Sequence, residues 1–185
     1  MLTIGLAMLQ GARHEHSMAL HDAASQLGIE IEIKELRKAS DVVGIDALIL
    51  PGGESTAMKI ASRSEDLYSE IWKEIKSGLP VLGTCAGAIL LCQQGLVNAG
   101  IDRNAFGRQR QSFQSPVSTT ISEGPFNGVF IRAPRFTSID CKAIAHLEKE
   151  AVGVVDGNRM ALTFHPELTD DRRFHRWIIE CALNQ

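Results

Sequence analysis

Apolar and polar positions along the chain follow two regimes. In roughly the first half, short apolar runs alternate with helix-length amphipathic segments. LTIGLAML at 2 to 9 reads as a buried strand, ARHEHSMALHDAASQLG at 12 to 28 as a helix closed by Gly28, and IEIEIKEL at 29 to 36 as a strand of period two. IDALIL at 45 to 50 is a further strand, followed by a Pro-Gly-Gly turn at 51 to 53 and a helical stretch from Ser55 to Lys76 with an interruption near Ser64. The strand PVLGT at 80 to 84 and a helix from Ala86 to about Gln94 complete this half. Strands separated by helix-length segments require right-handed crossovers, hence a parallel sheet covered on both faces.

From about Phe113 the pattern changes to short strands: PVSTTI, GVFIRAP, EAVGVVDG and RMALTFH, with Asp156-Gly157-Asn158 as a hairpin turn. A closing helix follows, with Thr169 as its expected N-cap, Asp170 and Asp171 in its first turn, and Phe174, Trp177, Ile178 and Cys181 as its apolar stripe. The expected fold class is α/β, a parallel sheet with an antiparallel elaboration in the second half. No repeat, low-complexity segment or linker divides the 185 residues, so one domain spanning 1–185 is expected.

Composition narrows the function more than the fold. The net charge of -3 and the lack of a sustained Lys/Arg block disfavour nucleic acid and anionic membranes as main partners, leaving a small molecule or a protein. The N-terminus lacks the basic start and cleavage site of a signal peptide, and no apolar run is long enough to span a bilayer, which predicts a cytoplasmic protein. Four scattered cysteines, Cys85, Cys92, Cys141 and Cys181, fit reduced thiols better than disulfides or a zinc site.

One of those thiols sits in an unusual place. GTCAG at 83 to 87 puts Cys85 between two glycines at the corner where a strand becomes a helix. There the helix dipole favours thiolate, and the amide of Ala86 is free to hydrogen-bond an oxyanion. The competing reading is a small core side chain, which is what most free cysteines are and what Cys92 is expected to be. A thiolate nucleophile needs a base and a group to orient it. In TFHPEL, Pro166 disfavours helix at His165, and an extended segment would project His165 and Glu167 to the same side. ALILPGGEST at 47 to 56 runs a strand into a double-glycine turn, where Gly53 could supply a second oxyanion donor and Ser55 could equally cap a helix. His14 and His16 point to different faces of their helix, so no metal site is expected; they, His21, His146 and His175 are read as solvated or hydrogen-bonded side chains.

In order and spacing, LQGARHEH, LPGGEST, GTCAG, RNAFGRQ, GVFIRAP and FHPELTDD resemble the class I (triad) glutamine amidotransferases, and within them the glutaminase subunits of pyridoxal 5'-phosphate synthases. The resemblance covers nearly the whole chain. It implies a flavodoxin-like glutaminase that needs no cofactor, hydrolyses L-glutamine and hands the ammonia to a (β/α)8-barrel synthase subunit in a large hetero-oligomer. By motif it makes Cys85 the nucleophile, His165 the base and acid, and Glu167 the orienting carboxylate. Gly53, Glu54, Ser55, Arg103, Ile131 and Arg132 would line the glutamine pocket, and Gly53 and Ala86 the oxyanion hole. Two departures stand out: LLCQQGLVNAGID at 90 to 102 is short for the family, and Ala88 replaces a bulkier aliphatic residue.

Two other readings stay open on the sequence: a stand-alone cysteine hydrolase of γ-glutamyl or other small amides, and an inactive docking module of the same fold. In the leading reading the free subunit should be slow. Its Gly52-Gly53 peptide can rotate at low steric cost, and Gln10-Gly11 at the end of the first strand is the expected sensor of docking.

Overall fold

The computed structural model describes residues 1–7, 12–53, 65–103 and 112–185. Its first half follows the apolar pattern: β1 (Leu2–Ala7), α1 (Arg13–Leu27), β2 (Ile31–Leu36), β3 (Ala47–Leu50), α2 (Glu65–Lys76), β4 (Val81–Thr84) and α3 (Ala86–Gln93). Gly28 closes α1 with φ 68°. The expected helix start at Ser55 and the interruption near Ser64 lie outside the described residues. The second half holds β5 (Ala99–Asp102), β6 (Ser112–Thr119), β7 (Phe126–Ile131), β8 (Arg135–Ile139), β9 (Lys142–Leu147), β10 (Glu150–Asp156), β11 (Arg159–Leu162) and α4 (Arg173–Leu183).

Among the described residues nine strands form one sheet in the order β2-β1-β3-β4-β11-β10-β9-β6-β7. Pairing is parallel from β2 through β11 and antiparallel from β11 to β7. This is the flavodoxin-like α/β class with the expected antiparallel elaboration. The β10-β11 hairpin turns at Gly157 and Asn158, as the sequence indicates. Strands β5 and β8 form a separate two-stranded sheet.

Alternate strand residues enter opposite layers, as a period of two dictates. Ile49, Leu82 and Leu162 face one apolar cluster, shared with Leu20 of α1 and Ile178 of α4. Leu48, Leu50 and Val81 face the other, where Leu67, Ile71 and Ile75 form the buried stripe of α2 and Ala88 and Leu91 that of α3. Each fully buried Leu, Ile or Phe contributes roughly 1.5–3 kcal/mol before entropy is counted. Phe164 is central to the first cluster, with ring centroids 5.5 Å from Phe126, 5.6 Å from Phe130 and 5.4 Å from Phe174. Four interlocked rings therefore fix the chain immediately before His165.

Three sequence expectations need correction. Thr169 does not cap α4: its hydroxyl donates to the carbonyl of Pro166 at 3.2 Å, and it is Asp171 that accepts the Arg173 amide at 3.0 Å. The buried face of α4 is Phe174, His175, Ile178, Ile179 and Ala182, while Trp177 and Cys181 are only half-buried. The segment after His165 is not extended, because Pro166–Leu168 forms a 3-10 turn, for which proline's fixed φ is well suited.

Candidate active site

The C-terminal ends of β3, β4 and β11 lie side by side in the parallel part of the sheet, and each delivers one part of the site. From β4 comes the cysteine. Cys85 adopts φ 50° and ψ -104°, a conformation that costs a non-glycine residue on the order of 1–3 kcal/mol. Its amide donates to the carbonyl of Leu162 at 2.8 Å, and its carbonyl accepts from Ile89 at 3.2 Å to open α3. The strained corner is thus held between a neighbouring strand and a helix. The flanking glycines make this packing possible: a Cβ on Gly87 would stand 2.0 Å from the Leu50 carbonyl oxygen, and one on Gly83 2.8 Å from the Gly87 carbonyl carbon. A cysteine serving only as core filling would need neither. Ala86 is the first residue of α3, so its amide has no intrahelical acceptor.

From the end of β11 comes His165. Its amide donates to the Val129 carbonyl of β7 at 2.8 Å. The 3-10 turn then folds Glu167 back, so that His165 Nδ1 lies 2.7 Å from Glu167 Oε1. Cys85, His165 and Glu167 are 9%, 8% and 4% exposed, so the three groups are buried with only a small part of the cysteine and histidine reaching solvent. Burial alone would lower the His165 pKa. Hydrogen bonds to Cys85 and Glu167, with the negative charge of both, outweigh it and push the value up to about 10. The imidazole is therefore held positively charged at neutral pH, between a sulfur and a carboxylate.

From β3 comes the turn at Pro51–Gly53. Gly52 lies so close to the cysteine and histidine that a Cβ there would meet His165 Cε1 at 2.6 Å and Cys85 Cβ at 3.2 Å. Its amide donates to Thr84 Oγ1 at 3.2 Å. Gly53 follows directly and is half-buried. Glu54, Ser55, Gln10 and Gly11 lie outside the described residues. Ile131 reaches the site from β7, with its carbonyl oxygen 3.9 Å from Cys85 Sγ, and Arg132 next to it takes φ 45° on an exposed bend. Arg103 occupies an exposed turn after β5, and residues 104–111 beyond it are outside the described set.

Two further residues join the site that sequence reasoning had treated only as solvated or hydrogen-bonded. His16 of α1 and His175 of α4 are completely buried behind Glu167, with His16 Nε2 3.4 Å from Glu167 Oε2. His14, two residues from His16, is exposed, as opposite helix faces require. The LQGARHEH stretch did single out the neighbourhood of His16, but no local pattern joins it to a histidine 159 positions away. Among the described residues no group of three or more His, Cys, Asp or Glu side chains could hold a metal ion. None of the described helices is long and apolar enough to cross a membrane.

A thiol at a strand-to-helix elbow, faced by an imidazole and carboxylate from the neighbouring strand, is an arrangement suited to nucleophilic chemistry, and comparison of the molecule with known proteins gives its class as glutamine amidotransferase. One solved glutamine amidotransferase matches it with a TM-score of 0.84 and 40% identity, over 97% of this chain and 98% of that one. The chain belongs to the SNO glutamine amidotransferase family, whose sequence profile matches residues 6–184. Similar curated relatives include the pyridoxal 5'-phosphate synthase subunit PdxT of Thermococcus onnurineus, 42% identical over 99% of this chain and 100% of that protein. The subunit of the same name from Methanosarcina mazei is 38% identical over 99% of this chain and 100% of its own length.

Proposed function

We propose that this chain is the glutaminase subunit of a pyridoxal 5'-phosphate synthase, hydrolysing L-glutamine to glutamate and ammonia and passing the ammonia to a synthase subunit. Full-length similarity to PdxT subunits supports the assignment. The observation that carries the chemistry is the 2.7 Å contact between His165 and Glu167 beside an elbow cysteine.

In this reading Cys85 sulfur, as thiolate beside the His165 imidazolium, attacks the side-chain amide carbon of glutamine. The oxyanion that forms is met by the Ala86 amide and a second donor from Gly53. His165 gives its proton to the amide nitrogen, ammonia leaves, and a thioester remains on Cys85. A water then loses a proton to His165 and attacks the thioester, releasing glutamate and restoring the starting pair. Glu167 holds the imidazole in orientation and compensates its charge. Glu54, Ser55, Arg103, Ile131 and Arg132 are proposed to bind the rest of glutamine, whose carboxylate suits arginine. We assign all of this to a single domain, 1–185, acting in the cytoplasm.

The proposed partner is a (β/α)8-barrel synthase in a hetero-oligomer. Ammonia freed into an open cleft would be protonated and diluted, so activity should depend on docking. Gly53 is the proposed moving part. The amide of its neighbour Gly52 is tied to Thr84, which leaves the peptide after it as the one to turn. The test is steady-state glutamine hydrolysis by the subunit alone and with saturating synthase, together with transfer of amide 15N from glutamine into the vitamin product. Hydrolysis that rises with synthase, with 15N in the product, is expected. Absence of hydrolysis in both conditions would overturn the reading, and full activity without partner would favour a stand-alone amide hydrolase.

A further inference from the structure

The proposed chemistry leaves two buried imidazoles unused. His16 and His175 are each 0% exposed, with ring centroids 5.3 Å apart. His16 Nδ1 lies 3.0 Å from His175 Nε2, while His16 Nε2 lies 3.2 Å from Thr84 Oγ1 and 3.4 Å from Glu167 Oε2. Polar rings sealed in a core are costly unless their hydrogen bonds are made, so the placement of their protons is constrained.

Glu167 supplies the constraint. Its Oε1 receives His165 Nδ1–H, and its buried Oε2 has no hydrogen-bond partner within ordinary limits. The polar atom 3.4 Å from that oxygen is His16 Nε2. If His16 Nε2 carries the proton, the carboxylate gains a donor. Nδ1 of the neutral ring then accepts from His175 Nε2–H, leaving His175 Nδ1 as a bare lone pair. That atom is indeed buried without a partner. The opposite tautomers would leave the Thr84 hydroxyl as the donor to His16 Nε2, but they would aim a lone pair at the Glu167 carboxylate and bury the His175 Nδ1–H with no acceptor, and an unmet buried donor beside an unmet carboxylate is the costlier arrangement.

We propose that His16 and His175 form a neutral two-histidine relay in which His16 Nε2–H positions the Glu167 carboxylate and His175 fixes the tautomer of His16. This rests on the reading of Glu167 as the orienting carboxylate. Neither histidine touches substrate in it; both are positioning residues. The ionisable groups facing the pair are His165 and Glu167 at the site and Arg172 just before α4, the last tied to Asp22 of α1 at 2.8 Å. Burial pushes the pKa of His16 well below its usual range, helped by His175 and His165, and burial together with Arg172 pushes that of His175 down to about 3. Both rings therefore stay neutral while the enzyme works, as the relay requires.

Loss of the donor should leave the Glu167 carboxylate free to turn away from His165. The variant His16→Leu removes that donor while keeping an apolar side chain in the core. The kcat should fall roughly 10- to 100-fold through a misplaced imidazole, with KM little changed. His16→Gln should restore much of the kcat, because the glutamine amide nitrogen can stand where Nε2 stood. A role in packing alone would give Leu and Gln similar profiles, and that result would overturn the relay. An independent readout is 15N imidazole NMR of the full wild-type chain between pH 5 and 8. Neutral Nε2–H tautomers at both positions are expected, and an Nδ1–H or charged His16 overturns the proposal even where His16→Leu fails to fold. If the wild type hydrolyses no glutamine with its synthase, the functional reading fails, and the NMR result still decides the proton placement.

Discussion

Gly52 and His165 are in such close approach that a single methyl group would not fit between them: a Cβ on the glycine would lie 2.6 Å from Cε1 of the imidazole. The contact is with a side chain that can swing, so Gly52→Ala is expected to displace His165 more than to unfold the chain. Turnover should fall about 100-fold, the usual result of misplacing a catalytic group by an ångström, with a melting temperature close to that of the wild type. Wild-type kcat in this variant would show that the imidazole position is not critical. Gly87→Ala makes the contrast, since its Cβ would meet a backbone oxygen at 2.0 Å that cannot swing away. Destabilisation of about 3 kcal/mol or more is expected, read from urea unfolding.

Cys85→Ala should abolish glutamine hydrolysis, by on the order of 10⁶-fold, while synthase binding and thermal stability are retained. Alanine tolerates φ 50° no worse than cysteine, and the substitution removes one sulfur atom without adding bulk. Clear residual turnover in the folded variant would remove Cys85 as nucleophile.

For Glu167→Gln the amide can still touch His165 but cannot balance its positive charge, and its NH2 group can favour the wrong tautomer. A loss of roughly 100-fold or more in kcat is expected, smaller than that of Cys85→Ala. Unchanged turnover would take Glu167 out of the assignment.

The histidines also predict how stability depends on pH. His175, held near a pKa of about 3, and His16, also lowered, stay neutral when folded but gain protons when unfolded below pH 6.5. Their contribution is complete above about pH 6.5 and is lost as pH falls below it, for His175 at about 1.4 kcal/mol per unit down to about 3, with His16 adding in the same direction. His165 has the opposite sign: its stabilisation is present below 6.5 and is lost as pH rises through about 10. Urea unfolding from pH 4.5 to 9 should therefore show a maximum near neutrality, and His175→Leu should have a visibly shallower acid side. An acid limb of the same slope in both proteins would contradict the buried neutral state.

Strong local patterns in the sequence carried through to the structure. The all-apolar β3 and the Gly-Thr-Cys-Ala-Gly corner declare themselves because burial on both faces and close backbone approach leave few residue choices. Strands β5, β8 and β9 did not, since AGID is short, RFTSI is largely outside the main core, and KAIAHL has alanines where β-branched residues would signal a strand. His165 and Glu167 were paired correctly through the wrong backbone, a 3-10 turn in place of an extended segment. His16 and His175 could not be paired at all, because α1 and α4 meet only after the sheet has formed between them in sequence.

Strand β11 is the last strand of the chain, yet it lies in the middle of the sheet, between β4 and β10. Every other strand has been synthesised before the gap beside β4 can be filled, and the strand that fills it brings His165 and Glu167 a few residues later. A nascent chain that has brought Cys85 out of the ribosome thus still lacks the groups proposed to activate it. The order of synthesis acts as a timer, and in the proposed reading the thiol meets its partners only once β11 has taken its place beside β4.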